Sequence, residues 1–252
     1  MTKIKDIVLY LDRIIPNPKC ELEYTKDYEL LIATMLSAQT TDKRVNMVTR
    51  VLFQKYPNLK ELSNASLEDI IQIVKPVGTF NRKAINVKII AKELLDKSNG
   101  VVPNNRIFLE SLSGVGRKTA NVVLSNLFGE PCIAVDTHVS RVSKRLGLAS
   151  EKDSVYVIEQ KLDKIFKDED FCRIHHQMVL FGRYKCKAIK PMCDDCKLKD
   201  NASQKEEEMV LKEEGNKLLK LINKDDYVLL MDLHGKEIDS LKFSSLIDQI
   251  SL

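Results

Sequence analysis

Apolar residues recur along this chain with the spacing of an α-helix, and this spacing limits the possible folds more than any other feature. Leu67, Ile70, Ile71 and Val74 follow the i, i+3, i+4, i+7 pattern, which returns at positions 87–94 and 120–127. Such a pattern places the apolar side chains on one buried face of a helix. Further helices are expected around residues 28–38, 43–55, 104–111, 117–128, 136–146, 154–166 and 171–184. The sequence therefore predicts an all-α fold.

Helix ends and membrane segments can also be judged from the sequence. Ser66, with Asp69 three residues later, predicts a helix start, and Asn99-Gly100 predicts a helix end. Charged residues interrupt the N-terminal segment as early as Asp6, which argues against a signal peptide. No apolar run approaches the roughly 20 residues that span a bilayer. We therefore expect a cytoplasmic protein without a membrane partner.

The net charge of +4 is unevenly distributed along the chain. Residues 203–252 carry seven lysines and eleven acids, so residues 1–202 carry a net charge of +8. A basic body suits a polyanion such as nucleic acid, although charge alone is a weak indication. Residues 203–222 are rich in charge and predicted to be helical, and residues 226–233 have the pattern of a strand entering a turn. We interpret 203–252 as a C-terminal extension of unknown role.

Three of the six cysteines form a cluster in the sequence. Cys186, Cys193 and Cys196 lie within eleven residues of one another. Because the chain shows no export signal, disulfide bonds are not expected. Closely spaced cysteines in such a chain indicate a metal site.

The segment 112–120 contains two glycines spaced by one residue, Gly114 and Gly116, before a predicted helix that begins with Arg117. Glycines allow the backbone to turn tightly and to approach a ligand closely. The free N–H groups of the following helix N-terminus can hold a phosphate. A phosphate contact would grip DNA without reading its sequence. The alternative is a helix-turn-helix whose glycines serve only packing.

Lys118 lies in the first turn of that helix, next to the predicted phosphate site. An uncharged amine at this position can attack C1′ of a deoxyribose and form a Schiff base. The alternative is that Lys118 binds phosphate as a cation. Asp136 begins the next helix and can either cap it or act as a carboxylate that stabilises positive charge on the sugar.

These segments together resemble the helix-hairpin-helix DNA glycosylases, most closely the endonuclease III family. The resemblance extends from about residue 20 to residue 196. The segments that carry it are Met35 to Asp42, Asn81 to Ala84, Leu112 to Ala120, Val135 to His138, His175-His176, Gly182 to Tyr184, and Cys186-x6-Cys193-x2-Cys196.

The resemblance implies a two-domain helix-hairpin-helix glycosylase fold. One six-helix domain would comprise residues 22–130, a second helical domain residues 1–21 and 131–202, and a short extension residues 203–252. It implies a monomeric base excision repair enzyme that removes oxidised pyrimidines from duplex DNA and cleaves at the abasic site by β-elimination. Lys118 would be the nucleophile and Asp136 its essential carboxylate.

The resemblance also implies a set of DNA contacts. Gln39 would enter the gap left by the extruded nucleotide, because base excision requires the nucleotide to leave the stack. The remaining contacts would come from Thr79, Gly114, Gly116, Arg117, His138, Lys187 and Lys190.

This chain departs from the family pattern at two positions. Thr79 stands where the family commonly has an apolar wedge, which bears on how the opposite strand is handled. Ala202 stands where the family has its fourth cysteine. A [4Fe-4S] cluster requires four ligands, so one would have to come from elsewhere. Three cysteines with one other ligand also suit zinc, and an empty site is the third possibility.

Three other functions are alternatives to this one. An iron–sulfur or zinc redox sensor is supported only by the three spaced cysteines. A catalytically inactive helix-hairpin-helix DNA-binding protein is the main alternative, although it would have no need for both Lys118 and Asp136. A monofunctional adenine glycosylase of the same superfamily would lack the lysine at position 118.

Overall fold

The computed structural model describes residues 3–199, which are helical and contain no β-strand. The all-α prediction is therefore confirmed. The α-helices are α1 Lys3–Ile14, α2 Asp27–Leu36, α3 Asp42–Lys55, α4 Leu59–Asn64, α5 Leu67–Val74, α6 Phe80–Ser98, α7 Arg106–Ser111, α8 Arg117–Phe128, α9 Thr137–Arg145, α10 Val155–Ile165 and α11 Phe171–Leu180.

The predicted helix ends agree with the structure because the local capping chemistry is present. The Oγ of Ser66 accepts a hydrogen bond from the backbone N–H of Asp69 at 3.2 Å and begins α5. Asn99 ends α6 with a left-handed backbone (φ 52°), and the following glycine N–H bonds to the carbonyl of Leu94 at 2.8 Å. Both ends satisfy backbone groups that a helix terminus otherwise leaves unpaired.

The structure differs from the helix prediction in three places. Helices α1 and α4 were not predicted. The last predicted helix, 171–184, is regular only to Leu180 and continues as a π-helical turn at Phe181–Lys185. The strand predicted at residues 226–233 lies outside the described residues.

Two clusters of buried apolar side chains organise the helices. The first core draws its residues from the chain between Leu22 and Cys132. The second core draws on α1 and on the chain between Ile133 and Leu198. Within the first core α6 packs against α4 and α5, and within the second α11 packs against α1 and α9. None of the helices in residues 3–199 is both long enough and apolar enough to span a bilayer.

Helix α8 contacts both groups of helices. It packs against α2 and α7 on one side and touches α11 on the other. Because Lys118 lies at the start of α8, the fold places this lysine where the two cores meet.

Candidate active site

A cavity of about 470 Å³ opens where the two cores meet. Its lining comes from the segment before α2, the end of α2 with the loop that follows it, the start of α8, the start of α9, and α11. Its lining residues include Gln39, Lys118, Asp136, His138, His175 and His176.

Lys118 is the second residue of α8 and is exposed to solvent. The helix begins after Gly116, whose extended backbone has no side chain to cover the helix N-terminus. The amine of Lys118 is therefore accessible from the cavity that the residue lines.

Asp136 is the N-cap of α9 and is half-buried. Its Oδ1 accepts a hydrogen bond from the backbone N–H of Val139 at 2.7 Å. One carboxylate oxygen is thus fixed by the cap, and the residue also lines the cavity. The capping role and a catalytic role are therefore compatible.

Asn121 connects the two elements that carry Lys118 and Asp136. It is fully buried on α8, one turn beyond Lys118, and its Nδ2 donates to the carbonyl of Ile133 at 3.3 Å. Its Oδ1 accepts from Arg106 at 2.6 Å. Because Ile133 lies three residues before Asp136, this amide fixes the approach of the Asp136 segment to α8.

The two glycines of the hairpin occupy different environments. Gly114 has φ +78°, and a Cβ added there would lie 2.2 Å from Nδ2 of Asn86 on α6. The hairpin therefore lies against α6 at a distance that only glycine permits. Among residues 3–199, no atom lies within 4 Å of a Cβ added at Gly116, so this part of the protein leaves its face open.

Arg117 makes its hydrogen bonds within the protein. Its Nη2 lies 2.7 Å from Oε1 of Glu159, and its guanidinium stacks on Tyr156 at 4.9 Å from the ring centroid. The side chain of Glu159 is 5% exposed and that of Arg117 is 46% exposed, so this ion pair joins α8 to α10 with only its carboxylate withdrawn from solvent. The hydrogen bond to Glu159 raises the pKa of Arg117.

His175 and His176 form part of the cavity wall and were not predicted as site residues. Their rings lie 5.0 Å apart, and Nε2 of His176 pairs with Oδ1 of Asn126 at 2.9 Å. Burial lowers the pKa of His175 to about 3, and the charges of His176 and Lys118 act in the same direction. The wall beside Lys118 is therefore an uncharged imidazole at neutral pH. The adjacent histidine pair was the available sequence signal.

Gln39 and His138 both line the cavity. Gln39 is exposed in the loop between α2 and α3 and has a left-handed backbone, with φ 56°. His138 is half-buried, and its Nδ1 lies 3.2 Å from Nη2 of Arg141. Thr79 does not line the cavity. It is exposed at the start of α6, also with a left-handed backbone (φ 55°).

The cysteine loop lies apart from the cavity lining. Cys186, Cys193 and Cys196 are half-buried thiols, and Nη1 of Arg145 lies 3.5 Å from Sγ of Cys186. Lys187 and Lys190 are exposed on the same loop.

The structure thus brings Lys118, Asp136, Gln39 and His138 to one cavity. The hairpin glycines and Thr79 lie on loops outside the cavity lining, and Lys187 and Lys190 lie on the cysteine loop. Arg183, which was not predicted as a site residue, also lines the cavity and forms ion pairs with Glu21 and Asp42.

Comparison with known proteins gives a consistent result for most of the chain. Residues 32–168 match the family model described as HhH-GPD superfamily base excision DNA repair protein. A second model, described as a predicted SPOUT methyltransferase, matches residues 155–252, less than half of the chain.

Individual relatives are similar over nearly their whole length. Endonuclease III of Bacillus subtilis (strain 168) is 46% identical over 201 residues, which cover 79% of this chain and 92% of that protein. Endonuclease III of Escherichia coli (strain K12) is 42% identical over 208 residues, covering 82% of this chain and 98% of that protein.

Solved structures agree with these relatives. A trapped covalent intermediate of endonuclease III with DNA superposes with a TM-score of 0.76 at 45% identity, covering 83% of this chain and 99% of that one. A non-covalent endonuclease III–DNA complex gives a TM-score of 0.77 at 44% identity, with the same coverage. The chain therefore belongs to the endonuclease III family, within the HhH-GPD superfamily of base excision DNA repair proteins.

Proposed function

We propose that Lys118 and Asp136 carry the chemistry of this protein, which is a DNA glycosylase and AP lyase of base excision repair. The observation that supports these roles is their placement. Both residues line one cavity, with Lys118 exposed and Asp136 held by its cap to Val139.

The proposed reaction begins with the uncharged amine of Lys118. Its lone pair attacks C1′ of the extruded nucleotide, and the glycosidic bond between C1′ and the base breaks. The base leaves with the bonding electrons and gains a proton. Asp136 stabilises the positive charge that develops on the sugar. The C1′–O4′ bond of the sugar ring then breaks as a double bond forms between C1′ and Nζ, and a proton lost by Nζ is gained by O4′. The product is an imine that links Lys118 to the opened sugar.

Strand cleavage follows from that imine. Removal of a C2′ proton breaks the bond between C3′ and its phosphate oxygen, and the phosphate departs as the leaving group. Asp136 can assist this proton transfer. Hydrolysis of the imine then returns the free amine of Lys118.

We further propose that the substrate is an oxidised pyrimidine in duplex DNA, with the nucleotide extruded into the cavity. Gln39 would fill the gap, with Thr79 and His138 beside it, and Gly114 and Gly116 would hold phosphate. Exposed Lys187 and Lys190 are available to the DNA backbone. Arg117 was also expected to touch DNA; because its guanidinium is paired with Glu159, we propose that it mainly fixes α8 on α10.

The endonuclease III family generally binds a [4Fe-4S] cluster. In residues 3–199 of this chain, no group of three or more His, Cys, Asp or Glu side chains is placed to hold a metal ion. The fourth family position is Ala202. The described residues therefore do not fit a four-ligand cluster, and the proposed reaction uses none. Iron and zinc analysis of protein purified without air tests this directly.

We retain two proposals about organisation. The first core and the second core support a division into domains of residues 22–130 and of residues 1–21 with 131–202. The protein is proposed to act as a monomer in the cytoplasm.

The experiment that tests the proposed function uses a duplex with one oxidised pyrimidine. Wild-type protein should release the damaged base and break the strand on the 3′ side of the resulting site, and an undamaged duplex should remain intact. A protein that binds the damaged duplex but releases no base would instead support an inactive DNA-binding protein.

A further inference from the structure

Lys83 is a buried lysine that takes no part in the proposed chemistry. It lies on the first turn of α6, and the residue is only 4% exposed. Its Nζ donates hydrogen bonds to the carbonyl of Leu36 at 2.8 Å and to the carbonyl of Ala38 at 2.7 Å. A third acceptor is the hydroxyl of Thr40 at 3.2 Å.

All three acceptors belong to one short stretch, the end of α2 and the loop that carries Gln39. Burying an ammonium group is unfavourable unless its donors are satisfied, and a well-packed apolar side chain is often equally or more stable. This desolvation also lowers the pKa of Lys83. The free energy of folding therefore does not by itself explain why a lysine occupies this position. Its hydrogen bonds instead fix the conformation of the loop that carries Gln39.

The contacts of Lys83 explain the conformation of the Gln39 loop. The carbonyls of Leu36 and Ala38 both accept hydrogen bonds from Nζ of Lys83. The backbone therefore changes direction after Ala38, before α3 begins. Gln39 makes this reversal with a left-handed backbone (φ 56°), which is unfavourable for a residue other than glycine. The reversal leaves the side chain of Gln39 exposed at the cavity.

Lys83 is also bonded to the loop that carries Thr79. Its backbone N–H donates to the carbonyl of Thr79 at 3.1 Å, and Thr79 has the same left-handed conformation as Gln39. The two loops are neighbours, since a Cβ added at Gly78 would lie 3.9 Å from the carbonyl oxygen of Gln39. One residue thus contacts both loops, through its backbone and its side chain.

We propose that Lys83 is a positioning residue for nucleotide extrusion, which holds the Gln39 loop in register with the Thr79 loop. The inference rests on the proposed function, in which these loops face the gap in the DNA. Lys83 does not touch the reacting atoms. Its loss should slow the steps that depend on filling the gap and spare the attack by Lys118.

The test compares two DNA substrates that carry the same abasic site. One is an intact duplex with 2-aminopurine as the orphan base opposite the site. In the other, the opposite strand has a short gap, so both duplex arms remain but no orphan base faces Gln39. Borohydride trapping measures Schiff-base formation on each, and 2-aminopurine fluorescence reports loop insertion.

The matched variants are Lys83→Met and Lys88→Met, both on α6. Lys88 also donates to a backbone carbonyl, that of Ala65 at 2.7 Å, away from the cavity. A misplaced positioning group can slow a reaction by about tenfold to a hundredfold. Lys83→Met should slow trapping on the intact duplex by at least about tenfold and reduce the fluorescence change, with less than about twofold effect on the gapped duplex. Lys88→Met should change neither.

A double-mutant comparison tests the route of the effect. If Lys83 acts through Gln39, then Lys83→Met should have little further effect in a Gln39→Ala background. Thr40→Val, which removes the hydroxyl that accepts from Lys83 and donates to the carbonyl of Ala38, provides a milder variant if Lys83→Met fails to fold. It should slow trapping on the intact duplex relative to the gapped duplex, by a smaller factor than Lys83→Met does.

Two results would overturn the inference: equal slowing of both substrates by Lys83→Met, or no slowing of either by a folded variant. Failure of the proposed function would be recognised separately, because wild-type protein would then trap neither substrate.

Discussion

Asp136 combines a structural contact with a proposed catalytic one, and substitutions can separate the two. Asparagine is as good an N-cap as aspartate, whereas alanine loses about 1 kcal/mol of capping free energy. Asp136→Asn should therefore keep the melting temperature of the wild type and slow base release by about a hundredfold or more. Asp136→Ala should lose both stability and activity. If Asp136→Asn releases the base at the wild-type rate, the catalytic role is wrong.

Asp163 gives a prediction about how the stability of the protein depends on pH. Burial, with the nearby charge of Glu159, raises its pKa from 3.8 to about 6, while the N–H of Ile133, Arg117 and Arg106 oppose the shift. A carboxyl group with a raised folded-state pKa contributes stability that is fully present below pH 3.8 and is lost as pH rises through about 6.

Asp163→Asn should therefore leave the melting temperature unchanged near pH 4 and raise it near pH 7.5. The residue is partly exposed, so we expect about 1 kcal/mol rather than the full value implied by the shift. Asp153→Asn is the control of opposite sign. Its ion pair with Lys161 lowers the pKa of Asp153, so that variant should melt lower near pH 7.5. Thermal unfolding of both variants across this pH range checks the prediction.

Some of these residues could be predicted from sequence and others could not. Lys118 and Asp136 were singled out because each begins a predicted helix beside a recognisable motif. Lys83 lies in a segment that carries the family resemblance, but the sequence does not predict that Lys83 is buried or that Asp163 is half-buried, since a charged residue in a helical pattern is usually on the solvent side. Lys83 meets the Gln39 loop and Asp163 meets the segment at Ile133, both distant in the sequence, and no local pattern predicts these contacts.

Among the structural elements, the hairpin before α8 makes the clearest prediction. Gly114→Ala places a methyl group against Asn86, which is itself buried and bonded to Ser113, at a positive φ. A non-glycine residue in that conformation costs about 1–2 kcal/mol, so the variant should melt at a lower temperature. Gly116→Ala has open space and should melt like the wild type.

DNA binding then distinguishes the roles of the two glycines. If the open face of Gly116 meets phosphate, Gly116→Ala should weaken binding to a duplex with an abasic-site analogue while leaving stability unchanged. Binding titrations and thermal melts on the same preparations supply both values. Normal DNA binding by a stable Gly116→Ala protein would show that the phosphate lies elsewhere.

The helices differ in whether the spacing of their apolar residues predicts them. Helices α5, α6 and α8 were expected from their apolar spacing, and their buried faces agree with it. Helix α1 has the same spacing at Ile4, Ile7, Val8 and Leu11 and could have been predicted. Helix α4 has only six residues, too few to show a period. The π-helical turn after α11 has no periodic signal in the sequence; Gly182 within it packs closely on α9, since a Cβ there would lie 3.0 Å from Cβ of His138.

At the scale of the whole molecule, the uneven charge predicts how the extension affects DNA binding. Ending the chain at residue 202 would remove seven lysines and eleven acids and leave a net charge of +8. Electrostatic attraction to DNA depends on net charge and weakens with salt. The shortened protein should bind undamaged duplex more tightly at low salt, and its trapping rate at saturating DNA should stay within about twofold of the full chain. If the shortened protein folds but is inactive, the extension takes part in catalysis.

The cavity itself is a property of the whole molecule. Its walls come from residues near 20, 39, 118, 136 and 175, and the first core and the second core both contribute. No local pattern predicts that these segments meet. The resemblance to the endonuclease III family did so for Lys118 and Asp136. It also included His175, His176 and Arg183, but only the fold shows that these residues line the cavity.

The central claim is that Lys118 forms the covalent bond with DNA, and borohydride trapping measures that bond directly. On a duplex with one abasic site, wild-type protein should give a stable protein–DNA adduct. Lys118→Ala should bind the same duplex and give none, and Lys83→Met should still give one, more slowly. An adduct formed by Lys118→Ala at the wild-type rate, or no adduct from wild-type protein that binds the duplex, would contradict the account.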